Sequence, residues 1–80
     1  MKWKDMQWRG KGRAQRAEDT YILAGKERPR SYLLVTEEEG SATLTITAGD
    51  QTATTKHANP AAAKKVAEKC HDECSILDQV

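Results

Sequence analysis

Residues 42–48 read Ala-Thr-Leu-Thr-Ile-Thr-Ala, an alternation that only a β-strand can use. Ala42, Leu44, Ile46 and Ala48 fall on one side, and Thr43, Thr45 and Thr47 on the other. Gly49-Asp50 follows directly, and glycine supplies the positive φ that a two-residue hairpin loop demands. That loop fixes the register with the next strand. Ile46 pairs with Ala53 and Leu44 with Thr55 on the core side, Thr47 with Thr52 and Thr45 with Thr54 on the outer side. The threonine face reads as ordinary β-propensity on a solvated surface.

Other segments fit around this hairpin. Thr20–Ala24 is a strand by composition, broken by the punctuation of Gly25 and Pro29. Ser31–Thr36 is apolar on both faces, as expected of a central strand, and 37–41 makes an acidic turn. Asn59 is a helix N-cap and Pro60 suits the first helical turn, so a helix is expected from about 60 to about 77. On it Ala63, Val66, Ala67, Cys70, Cys74 and Leu77 form one apolar stripe, with His71 to its flank and Asp72 opposite. The expected fold is therefore α+β, a small antiparallel β-meander of three to five strands covered on one face by one C-terminal α-helix. The other face is left to solvent or to a partner. Residues 1–17 read as a basic, partly flexible N-terminal arm, with a first strand beginning at Trp8 and turning at Gly10 to Gly12. Residues 18–80 make the single meander-plus-helix domain.

Eighty residues without phenylalanine bury a modest core, which leaves little wall for a substrate cleft. No triad pattern, P-loop or dinucleotide fingerprint is present, so the expectation is a non-enzyme without cofactor. No apolar run approaches a membrane span, and the basic N-terminus has no apolar core of a secretory signal. With only two cysteines, the expected setting is the cytoplasm, with reduced thiols.

Charge is split. Residues 1–30 carry nine Lys or Arg against four acids, residues 31–80 four against eight. Two meanings compete: attraction between the halves, or a basic arm for an acidic partner. In the second, Lys2, Lys4, Arg9, Lys11, Arg13 and Arg16 neutralise phosphates, Trp3 stacks on bases with Trp8 interleaved, and Arg28 and Arg30 extend the patch. Core capping by Trp8 is the plainer alternative. Cys70 and Cys74 offer a helical ligand pair, but Cys-x3-Cys occurs once and only His57 could join them from elsewhere, so packing is preferred to metal or redox chemistry.

Trp8, Tyr21, Tyr32, Leu44 and the run Ala61, Ala62, Ala63, Lys64, Lys65, Ala67 resemble small phage- or prophage-encoded domains of strands closed by an Ala- and Lys-rich helix. That resemblance implies a short accessory protein of a mobile element. The helix start also resembles the last helix of double-stranded-RNA-binding domains, with Lys64 and Lys65 as phosphate-holding counterparts, although no first helix precedes the strands. The leading expectation is a macromolecular interaction module with a protein partner, acting as monomer or homodimer without membrane association. DNA or RNA binding through the basic arm comes second, and a small metal or thiol site at Cys70 and Cys74 third.

Overall fold

In a computed structural model of the protein, which describes residues 2–72, five strands form one antiparallel sheet in chain order. They are β1 (Lys4–Met6), β2 (Arg13–Leu23), β3 (Lys26–Thr36), β4 (Ala42–Ala48) and β5 (Gln51–His57). The helix α1 (Pro60–Asp72) crosses one face, from above β4 and β5 toward β2. This is the α+β meander with one covering helix that the alternation and the N-cap predict. The last part of the expected helix, with Cys74 and Leu77, lies outside the described residues.

The β4–β5 hairpin has the predicted register throughout: Ile46 faces Ala53, Leu44 faces Thr55, Thr47 faces Thr52 and Thr45 faces Thr54. Gly49 has a φ of 61° at the first loop position, as a type II′ turn requires. Ala42, Leu44, Ile46 and Ala48 are buried under α1, while the threonines point to the open side. The helix begins as its sequence demands. Asn59 Oδ1 accepts the Ala62 amide at 2.8 Å, and its carbonyl accepts from Ala63 at 3.3 Å.

Two stretches differ from expectation. β2 and β3 are longer than their β-forming cores, because their hairpin turns at Ala24-Gly25, both at positive φ. Pro29 therefore lies inside β3, opposite Thr20. It is tolerated because the last β3–β4 pair is Arg30 with Ala48, so beyond it β3 has no neighbour on that side to want an N–H. The tip of this hairpin projects past the sheet, with Ile22 and Leu23 exposed. The segment 1–17 is also woven into the sheet. Its first strand is Lys4–Met6 rather than one starting at Trp8, and β2 already begins at Arg13.

The two tryptophans exchange their expected roles. Trp8 sits in the β1–β2 loop and is 44% exposed. Trp3 instead packs against the core, edge-on to Tyr32 with ring centroids 6.4 Å apart. Strand parity explains this: Trp3 shares the side of Asp5, which faces the helix, and Lys64 of α1 closes over its ring at 5.8 Å. Beneath the helix, alanines at 17, 42, 63 and 67 permit close approach, and Tyr32, Leu34 and Leu44 supply the bulk.

Gly12 joins the loop to β2 at a φ of 101°, and a Cβ there would lie 2.1 Å from the Thr36 carbonyl oxygen. Gly12→Ala should therefore destabilise the fold by at least about 2 kcal/mol, since neither the backbone angle nor the fixed carbonyl can yield cheaply. Urea denaturation of the two proteins checks this.

Candidate functional site

The most organised polar chemistry lies under the C-terminal end of α1. Asp19 on β2 and Arg30 on β3 are directly opposite in register, and both side chains face the helix. Their side chains are 5% and 0% exposed. Arg30 grips the carboxylate with two donors, Nε to Oδ1 at 2.8 Å and Nη2 to Oδ2 at 2.5 Å. The Tyr32 hydroxyl donates to Oδ2 at 2.8 Å, and His71 Nδ1 on α1 meets the same oxygen at 2.9 Å. The guanidinium also lies against the Tyr32 and Tyr21 rings, at 5.4 and 5.7 Å from their centroids. Arg30 Nη1 is buried without a hydrogen-bond partner among the described residues.

Burial alone would raise the Asp19 pKa. The hydrogen bonds from Arg30, His71 and Tyr32, with the Arg30 charge, outweigh it and hold the carboxyl below its ordinary value. Burial and the bond to ionised Asp19 push the Tyr32 hydroxyl well up, so it stays a donor. For Arg30, burial works against the cation, and the carboxylate more than compensates. Asp19, Arg30 and Tyr32 are thereby held as carboxylate, cation and neutral hydroxyl. Its physics is that of a structural clasp.

This arrangement redraws the expected basic patch. Arg30 is not a surface cation, because its side chain is wholly enclosed. Trp3 is not free to stack on bases, because it is packed against the core. Arg13 lies 3.5 Å from Asp5, and Arg16 2.8 Å from Glu18. Arg28 stands on the projecting hairpin beside Tyr21 and Leu23, away from β1. Lys2, Lys4, Arg9 and Lys11 are exposed, with no salt bridge among the described residues. His71, read from the sequence as a surface residue, is half-exposed yet reaches Asp19. Cys70 is 3% exposed and belongs to the core cluster, on the stripe with Ala63 and Ala67. Among the described residues no three His, Cys, Asp or Glu side chains converge as metal ligands.

The second feature is the open face of the sheet. Register places Met6, Ala14, Val35, Thr43 and Lys56 in one row across it, and Lys4, Arg16, Leu33, Thr45 and Thr54 in the next. Met6, Val35 and Leu33 thus form an apolar strip on β1–β3 around Ala14, which is itself only 2% exposed. Leu33 and Val35 are half-buried, and Met6 is 41% exposed. Lys4 stands beside it on β1, and Lys56 ends the first row on β5, beyond Thr43. The threonine ladder continues it over β4 and β5, with Thr45 and Thr54 hydroxyls 3.4 Å apart.

Comparison with known proteins supplies no relative: no family model matches the chain, and no curated protein or solved structure matches it. No helix among the described residues is long and apolar enough to cross a membrane.

Removing the clasp has a predictable cost. Asp19→Ala leaves the Arg30 charge buried and uncompensated, and should destabilise by about 3–5 kcal/mol in urea denaturation near pH 7. The depressed Asp19 pKa also sets an acid limb. Its stabilisation is complete above the ordinary carboxylate value of 3.8 and is lost as pH falls through the lower folded value. The stability gap between wild type and Asp19→Ala should therefore hold from about pH 6 to about pH 4 and narrow below that, in urea titrations at each pH.

Proposed function

We propose that this protein is a non-enzymatic interaction module that binds a protein partner on its open sheet face. The observation that carries this reading is the apolar strip of Met6, Leu33 and Val35 around the buried Ala14, on the side opposite the helix, with Lys4 and the Arg16–Glu18 pair beside it and Lys56 closing one of its rows on β5. An apolar strip on a sheet face is energetically expensive to leave in water, and a contiguous one marks a contact surface. The net charge of these neighbours is positive, so the fitting partner presents apolar side chains within an acidic rim. In this reading the protein is a short accessory protein of the kind the phage-type resemblance implies, acting in the cytoplasm.

A second reading is supported by the same cations. Lys4, Arg9 and Lys11 are exposed, and Arg16 and Lys56 share the open face, so a nucleic-acid backbone could lie across it. This patch lacks two members of the one read from the sequence, because Arg30 is enclosed and Trp3 is packed against the core.

Affinity capture with wild type and with Leu33→Glu separates the readings. Leu33 is half-buried on an uncovered face, so the variant should keep its fold, checked by circular dichroism. A protein partner should be retained by wild type after nuclease treatment and lost with Leu33→Glu. Under the second reading, Lys4→Ala with Lys11→Ala would instead abolish a DNA or RNA gel shift at low salt. Leu33→Glu would then weaken that shift only modestly. Capture that Leu33→Glu leaves unchanged would refute the first reading.

A further inference from the structure

We infer that β5 is a dimerisation edge, which pairs antiparallel with β5 of a second copy to make one continuous sheet about a two-fold axis at Ala53. β5 is the last strand of the sheet, and among the described residues nothing pairs with its outer side. Exposed edges are usually blunted by proline, a bulge, shortness or an inward charge. β5 has none of these. It is seven residues long, pairs with β4 without interruption, and has its only Lys at the penultimate position. The opposite edge is different: β1 is three residues long and backs only part of β2.

The hairpin fixes which groups are free. Across a two-residue loop the flanking residues, Ala48 and Gln51, exchange hydrogen bonds, and the pattern alternates from there. Gln51, Ala53, Thr55 and His57 therefore bond to β4. Thr52, Thr54 and Lys56 aim their amides and carbonyls outward. A two-fold at Ala53 sets Thr52 opposite Thr54 of the second copy, and the reverse, so that each pair exchanges two backbone bonds. On the helix side Ala53 meets its own copy and Gln51 meets Thr55, which leaves no bulky side chain in the seam.

Charge selects this register among the self-complementary ones. With the axis at Ala53, Lys56 stands opposite Asp50 of the second copy, twice by symmetry. Moving the axis to Thr54 would put Lys56 opposite Thr52 and leave Asp50 unmatched. Within one chain the loop residue Asp50 directly precedes β5 and Lys56 is near the far end of that strand, too far apart to pair with each other. Their complementarity is realised only between copies.

Sedimentation velocity on the full chain at low salt, over concentrations up to about 1 mM, tests this. Wild type should show a monomer–dimer equilibrium. Lys56→Glu and Asp50→Lys should each raise the dissociation constant about tenfold, because two attractive pairs become repulsive. Mixing the two variants should restore association as a heterodimer. There the glutamate introduced in one chain meets the lysine introduced in the other, and the two unaltered residues, Asp50 and Lys56, meet at the second pair. Thr54→Pro should abolish dimerisation by removing an outward amide that β4 does not use, and its folding can be checked separately by circular dichroism. Wild type that stays monomeric throughout, or a dimer that ignores all four tests, overturns the inference. This readout is independent of partner capture by the open face, so either conclusion can fail alone.

Discussion

Asp19 is the point at which three elements are tied together. Its carboxylate, on β2, takes two donors from Arg30 and one from Tyr32, both on β3, and a contact from His71 on α1. Removing an ionised pair from water costs several kcal/mol per ion, and only near-complete hydrogen bonding makes it tolerable. Here the carboxylate is saturated, and the guanidinium has two aromatic faces as well as its anion. The clasp sits at the end of the core away from Leu34 and Leu44, beside Ala17, Ala48 and the rings of Tyr21 and Tyr32. With no phenylalanine in the chain, polar groups fill that volume.

The same pair discriminates between alignments that hydrophobic patterning cannot. Moving β2 by one residue along β3 would turn every side chain to the wrong face, so alternation forbids it. A two-residue slip keeps the faces and would be nearly invisible to alternation. It would, however, set Arg30 opposite Ala17 or Tyr21 and bury the cation without its carboxylate. The ion pair thus specifies the register of a long hairpin whose turn, Ala24-Gly25, is a weak signal. It does so at little net gain in stability, the role best attested for buried polar pairs.

Legibility in the sequence followed the strength of local signals. The β4–β5 hairpin could be read to the residue because strict alternation flanks a Gly-Asp loop, and the helix start because Asn-Pro precedes alanines. β2–β3 was only half legible. Ala24 adopts the left-handed region without being Gly, Asn or Asp, and Pro29 reads as a break although it lies in a strand. Once that turn is centred wrongly, Asp19 and Arg30 are no longer partners, and Arg30 reads as one more surface cation. Trp3 and Trp8 carry no periodic context strong enough to say which enters the core. The signal that could have found the clasp was present: Asp19 and Arg30 are symmetric about Ala24-Gly25, and Tyr32 follows Arg30 by one strand repeat.

The sheet's two faces divide the chemistry. The helix side spends its polar groups internally, where Arg30 and Tyr32 donate to Asp19 and only Arg30 Nη1 of the three side chains is left without a partner among the described residues. The open side keeps its apolar strip near β1–β3 and grades into short hydroxyl side chains toward β5. That gradient matters for association. Threonine keeps the free edge flat and β-competent without making it greasy, so strand pairing there is governed by backbone bonds and a few charges. The apolar strip, two strands farther in, remains exposed when edges join. Lys56 belongs to both surfaces, closing one row of the open face and being the only Lys or Arg on the edge strand. Edge pairing would bring a second open face alongside the first, extending one surface rather than covering it. A partner on that face and a second copy on the edge would then be coupled through Lys56, because neutralising it at the seam changes the charge that frames the strip.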